Sequence, residues 1–149
     1  MRTLQNWLAE YSESHQNPLN KRLHWVCVPL ITFSVVGLLW SFNSFVALIA
    51  LILAMIFYAR LSSRLFLGMT IFSALIVILI WVLSAPLLAQ SPYAPFWFYF
   101  GLFVIGWIGQ FYGHKVEGKK PSFFKDLQFL LIGPAWCAND LMQKLRKSL

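Results

Sequence analysis

Three histidines, His15, His24 and His114, are the residues of this chain best suited to chemistry, and each has polar residues nearby. Asn17 and Asn20 lie between His15 and His24. Gln110 lies one helical turn before His114, and Glu117 follows it by three residues, on the same face of any helix that continues through both. Imidazole and carboxylate are the donors of non-haem Fe(II) sites, which leave coordination positions open for oxygen and substrate. Zinc accepts the same donors, so residue types alone do not choose the metal. Each residue also has a plainer use. A histidine near a membrane interface hydrogen-bonds to headgroups, backbone or water. A glutamate beside Lys115, Lys119 and Lys120 is a solvated helix end. A glutamine inside an apolar helix bonds across to its neighbour. Spacing leaves both sets of uses open.

The elements that must position these residues are marked by where charge is absent. Residues 23–59 contain no Asp, Glu, Lys or Arg, and residues 65–114 contain none. All 17 charged side chains fall in residues 1–22, in Arg60–Arg64 and in residues 115–149. A charge at the centre of a bilayer costs about 2.5–3.5 kcal/mol even on the lenient insertion scale, so this pattern predicts membrane-spanning helices. The first uncharged block has 37 residues and divides at Ser41-Phe42-Asn43-Ser44. The second has 50 residues and breaks at Gln90-Ser91-Pro92-Tyr93-Ala94-Pro95. Spans are expected near 22–41, 45–60, 64–88 and 96–115, each close to the ~20 residues needed to cross. In lipid they must be helical to satisfy their own backbone groups. The fold class is all-α, an integral membrane bundle of four transmembrane helices forming a single membrane domain over residues 1–149.

Four spans place the N-terminal segment, the Arg60–Arg64 loop and the C-terminal tail on one side. The positive-inside rule makes that side cytoplasmic, so both termini are expected there, at a bacterial inner membrane or, in a eukaryote, at the endoplasmic reticulum. All three histidines fall on this side. On one straight helix His15 and His24 would sit about 13 Å apart on opposite faces. The break at Asn17-Pro18 lets the chain fold back over 16–20. Asn20 then caps the first span and puts His24 in its first turn, while His114 occupies the last turn of the fourth. Amphipathic helices flank the bundle. Leu4, Trp7, Leu8 and Tyr11 make one apolar stripe, and Phe123, Phe124, Leu127, Leu130 and Leu131 make another. Ile132-Gly133-Pro134 precedes a last helix with Trp136, Leu141 and Leu145.

Composition excludes several classes. The chain is 59% hydrophobic, 17% aromatic and 11% charged, which fits a membrane protein rather than a water-soluble core. Its net charge of +7 flanks apolar runs, and no basic strip is interleaved with base-stacking aromatics, so nucleic acid is not expected. Cys27 and Cys137 lack metal-site spacing and read as small apolar packing residues. The first 22 residues have no early apolar core, so the first span, not a cleaved leader, is expected to direct insertion.

The polar residues form two strings, Tyr11-x3-His15-x-Asn17-x2-Asn20-x3-His24-x4-Pro29 and Gln110-Phe111-x-Gly113-His114-x2-Glu117-x3-Pro121. With four spans and small size, the chain resembles the membrane 2-hydroxy fatty acid dioxygenases, whose fungal member acts in the breakdown of phytosphingosine to odd-chain fatty acids. Where that family commonly has Pro-Ala after the second string, this chain has Pro121-Ser122. The resemblance implies an Fe(II)-dependent α-oxidation in which a 2-hydroxy fatty acid and O2 give a fatty acid one carbon shorter. It implies His15, His24 and His114 as catalytic iron ligands, Glu117 as a fourth ligand or an outer partner, and Asn17, Asn20 and Gln110 as supporting polar positions. A metal at the bundle mouth can meet the acid's carboxylate and 2-hydroxyl while the tail lies among the helices or in membrane lipid. The competing expectation is a non-enzymatic lipid-binding or assembly protein of the membrane. A transporter is disfavoured because the inner spans carry no charge. A di-iron hydroxylase or desaturase is disfavoured because three histidines are too few.

Overall fold

A computed structural model describes residues 3–13, 15–118 and 131–147. The described residues form six helices: α1 (Leu4–Glu13), α2 (Pro18–Phe42), α3 (Ser44–Leu61), α4 (Ser63–Gln90), α5 (Ala94–Glu117) and α6 (Ile132–Lys147). Helices α2 to α5 are each long and apolar enough to cross a membrane. Of the expected second apolar stripe, Phe123, Phe124, Leu127 and Leu130 lie outside the described residues, as does Pro121-Ser122, and Leu131 directly precedes α6.

The spans run slightly beyond their expected limits because the turns are minimal. Asn43 alone separates α2 from α3. Its N–H closes α2 on the Leu39 carbonyl (2.9 Å), and its side chain accepts from Phe45 N (2.8 Å) to cap α3. Ser62 separates α3 from α4 in the same way. Pro86 is carried inside α4, and Pro95 opens the first turn of α5, where its missing N–H costs nothing. One expectation is corrected. Asn17, not Asn20, caps α2, because Pro18 takes the first helical position and the Asn17 side chain accepts from Leu19 N at 2.9 Å. The reversal therefore lies between Glu13 and Pro18, and His24 stands in the second turn.

These helices are apolar all round, which marks a helix surrounded by other helices or by lipid. Their outward side chains include Ile49, Leu75, Ile105 and a Trp81 that is 70% exposed, a surface compatible with lipid and not with water. Helices α2 and α5 make the most extensive pairing of the bundle. A stripe of small residues on α5, Gly106, Gly109 and Gly113, permits it. A Cβ at Gly109 would lie 2.4 Å from Cys27 Sγ, and one at Gly113 2.4 Å from Asn20 Oδ1. Two backbones can approach this closely only where side chains are missing, the usual basis of helix association in lipid. The start of α2 and the end of α5 are thereby brought together. Helices α1 and α6 pack across that end, joined by the Trp136 indole, which donates to Ser12 Oγ at 3.0 Å.

Candidate metal centre

The helix pairing sets three imidazoles against one another. His24 and His114 face each other across the α2–α5 seam with ring centroids 5.2 Å apart. His15 comes from the link after α1 and lies 4.0 Å from His24 and 5.7 Å from His114, centroid to centroid. All three are buried. One ring nitrogen of each lies within 4.8 Å of its counterparts. Three nitrogens held at ~2.1 Å by one ion are about 3.0–3.6 Å apart, so each ring would close in by up to about 1 Å, a side-chain adjustment, to reach ligation geometry.

Backbone carbonyls orient two of the rings. His15 Nδ1 bonds to the Tyr11 carbonyl, one of the acceptors that α1 leaves over at its C-terminus. His24 Nδ1 bonds to the Asn20 carbonyl at 3.0 Å. Donation through Nδ1 leaves Nε2 with the lone pair, the usual support of a metal-binding histidine. His15 Nε2 is buried without a hydrogen-bond partner among the described residues. Burial also pulls the His15 pKa down to about 4, against the opposing effect of the Tyr11 carbonyl. His15 is therefore neutral near pH 7, as a ligand must be. A buried, neutral, orphaned nitrogen aimed among two further imidazoles fits a divalent metal.

Aromatic rings hold and cover His15. Tyr11 stacks on it at 4.2 Å and 11°, and Trp136 of α6 stands 5.7 Å away. Glu117 lies apart from the converging nitrogens. Its carboxylate accepts from Gln16 N (2.9 Å), Asn17 N (2.9 Å) and Asn20 Nδ2 (2.9 Å). It thus pins the start of α2, and the link carrying His15, to the end of α5. The anion also sits where the helix N-terminus favours negative charge. Asn20 bridges the two tiers, its amide on Glu117 and its carbonyl on His24. Asn17 serves as cap and as donor to Glu117. Gln110 is buried on α5 one turn from His114.

The family described as 2-hydroxy-palmitic acid dioxygenase Mpo1-like has a sequence profile that matches residues 1–145. The chain belongs to this family. It is similar to the 2-hydroxy-palmitic acid dioxygenase MPO1 of Saccharomyces cerevisiae, 28% identical over 144 residues that make up 95% of this chain and 81% of the yeast protein. No solved structure matches the chain. Within this Mpo1-like chain, three contributions escaped the sequence reading. Tyr11 stood there as part of the N-terminal apolar stripe and of the first string, Trp136 only as a residue of the last helix, and Gln16 was not singled out. The Gly106-x2-Gly109-x3-Gly113 spacing is the signal that marks α5 for close approach by another helix, though not which one.

Proposed function

We propose that this protein is an Fe(II)-dependent dioxygenase that shortens 2-hydroxy fatty acids by one carbon at the cytoplasmic face of its membrane. The observation that carries the reading is the convergence of His15, His24 and His114, drawn from both ends of the chain, at the mouth of an apolar bundle. The family name supplies the substrate class. In the balanced reaction R–CH(OH)–COOH and O2 give R–COOH, CO2 and H2O. C2 loses three electrons and C1 one, and O2 takes all four.

The three imidazoles would hold the metal, and Fe(II) would supply the one-electron exchange with O2 that redox-inert zinc cannot. Neutral ligands leave the ion's positive charge uncompensated, and Glu117 is already engaged with Gln16, Asn17 and Asn20. An anionic carboxylate is therefore the complementary ligand. Lys21, Arg22 and Lys115 on the same rim add an attractive potential for it. Tyr11 and Trp136 cover the His15 side and limit water there. A polar head at the mouth and an apolar tail toward the bilayer suit a fatty acid.

The test is anaerobic purification, metal analysis, and oxygen uptake with 2-hydroxy-palmitic acid. One iron per chain, uptake that depends on the acid, and loss of both in His24→Ala and His114→Ala are expected. Iron-loaded protein that consumes no oxygen with any 2-hydroxy acid would overturn the reading.

A further inference from the structure

The bundle contains a groove that the metal centre does not use. It encloses about 170 Å³ between α2, α3 and α4. Leu131 and Pro134, at the start of α6, form the end nearest the histidines. Thr32, Leu39, Ala54 and Phe72 are among its walls. The Thr32 hydroxyl is tied to the Val28 carbonyl at 2.9 Å, so the groove is apolar where Thr32 lines it. Its far end adjoins the packed cluster of Val36, Ala47, Ile76, Ile80 and Tyr99.

The metal centre and the groove follow one another along α2, with Val28 between them. His24, Val28 and Thr32 follow one another at i, i+4 and i+8 on α2. Beside Val28 stands Gly133 of α6, where a Cβ would lie 3.1 Å from Val28 Cγ1 and 3.1 Å from the Tyr11 hydroxyl. Tyr11 in turn stacks on His15. The first turn of α6 is therefore the partition between centre and groove, and a tail that runs from one to the other must shift that turn aside. Length supports the connection. From His24 to Thr32 the helix rises about 12 Å, and to Leu39 about 22 Å. One leaflet's acyl tails fill about half of a ~30 Å hydrocarbon core. A long-chain acid with its head at the histidines thus brings its distal methylenes alongside Thr32 to Leu39, while a medium chain stops short. Volume agrees, since a dry apolar cavity of ~150 Å³ accepts a six-carbon ring.

We propose that this groove receives the distal segment of the substrate's acyl tail and sets chain-length preference. The assignment rests on the reading of the chain as a 2-hydroxy acid oxygenase. The test uses the iron-loaded full chain in lipid nanodiscs and a 2-hydroxy fatty acid of palmitic length bearing a diazirine near its methyl end. After photolysis, label is expected on the groove-lining peptides of α2 and α3, displaced by excess 2-hydroxy-palmitic acid. Label spread over outward residues such as Ile49, Leu75 and Ile105, undisplaced by competitor, would overturn the proposal, because the tail would then lie in lipid. Labelling needs no turnover. Displaceable groove label without oxygen consumption would therefore sink the oxygenase reading while sparing the groove. As a second readout, Ala54→Phe fills the groove. It should lower the preference for 2-hydroxy-palmitic over 2-hydroxyoctanoic acid about tenfold, the scale at which an apolar pocket senses a methylene. An unchanged preference in folded, iron-loaded Ala54→Phe counts against the groove. Should that variant not fold, the wild-type label decides.

Discussion

Replacing Glu117 with glutamine tests whether the candidate metal centre depends on this carboxylate as a clamp on the backbone or as a ligand. The carboxylate receives three donors at 2.9 Å: two backbone N–H groups, of Gln16 and Asn17, and the Asn20 amide. A glutamine of the same shape offers one oxygen, and its NH2 faces donors instead of accepting from them. At least one of the three bonds is lost and the rest lose their charge assistance. A hydrogen bond to a charged group contributes about 1.5–3 kcal/mol, and this rim is partly open to water, so the lower figure is the better guide. With one bond lost and two weakened, the cost is about 2 kcal/mol. That energy now holds His15 against His24 and His114. Its loss should weaken metal affinity by about 10–100-fold, the range seen when an outer partner of a ligand is removed. The assay is an anaerobic metal titration of purified protein, read beside hydrogen exchange at the Gln16 and Asn17 amides. Glu117→Gln should bind metal more weakly and exchange faster at both amides, while His24→Ala should lose the metal outright. Glu117→Gln with wild-type affinity and unchanged exchange would refute the clamp. Weakened affinity with both amides still protected would refute it equally, because the carboxylate would then act at the metal itself.

Two further outcomes follow from packing and burial. Gly113→Val places carbon where a Cβ alone would be 2.4 Å from Asn20 Oδ1, so it should cost about 1–3 kcal/mol and part His114 from His24. Metal content and melting temperature should both fall, whereas Gly101→Val, with nothing within 4 Å, should leave the metal in place. Cys137 is buried on α6, and burial, helped by the nearby Asp140 charge, raises its thiol pKa from 9.0 to about 12. Three pH units mean about a thousandfold less thiolate below pH 9, so iodoacetamide at pH 8 should leave Cys137 unmodified in the folded protein and label it after denaturation. Rapid labelling of the native state, located by peptide mapping, would show that α6 does not pack as described.

The sequence by itself determined the spans. A charge in the bilayer is costly wherever the helix finally packs, so the empty stretches 23–59 and 65–114 placed four helices before any contact was known. Turn chemistry at Asn43 and at Pro92–Pro95 located two of the breaks, for reasons equally local. Polar residues near the charged ends, above all His15, His24, His114 and Glu117, stood out because membrane helices otherwise omit them. Only the tertiary structure decided what those residues do together. His15 and His114 are 99 positions apart, and no periodicity reports which pair of helices will meet. That choice fell to the absence of side chains at Gly106, Gly109 and Gly113 and to the side chains of Ile31, Cys27 and Asn20 that occupy the space. That Glu117 accepts from Gln16 N, Asn17 N and Asn20 Nδ2 is likewise decided by which donors the fold brings to it. Hydropathy sums over each helix alone, whereas packing is a property of pairs, and the centre exists only where the pairs close.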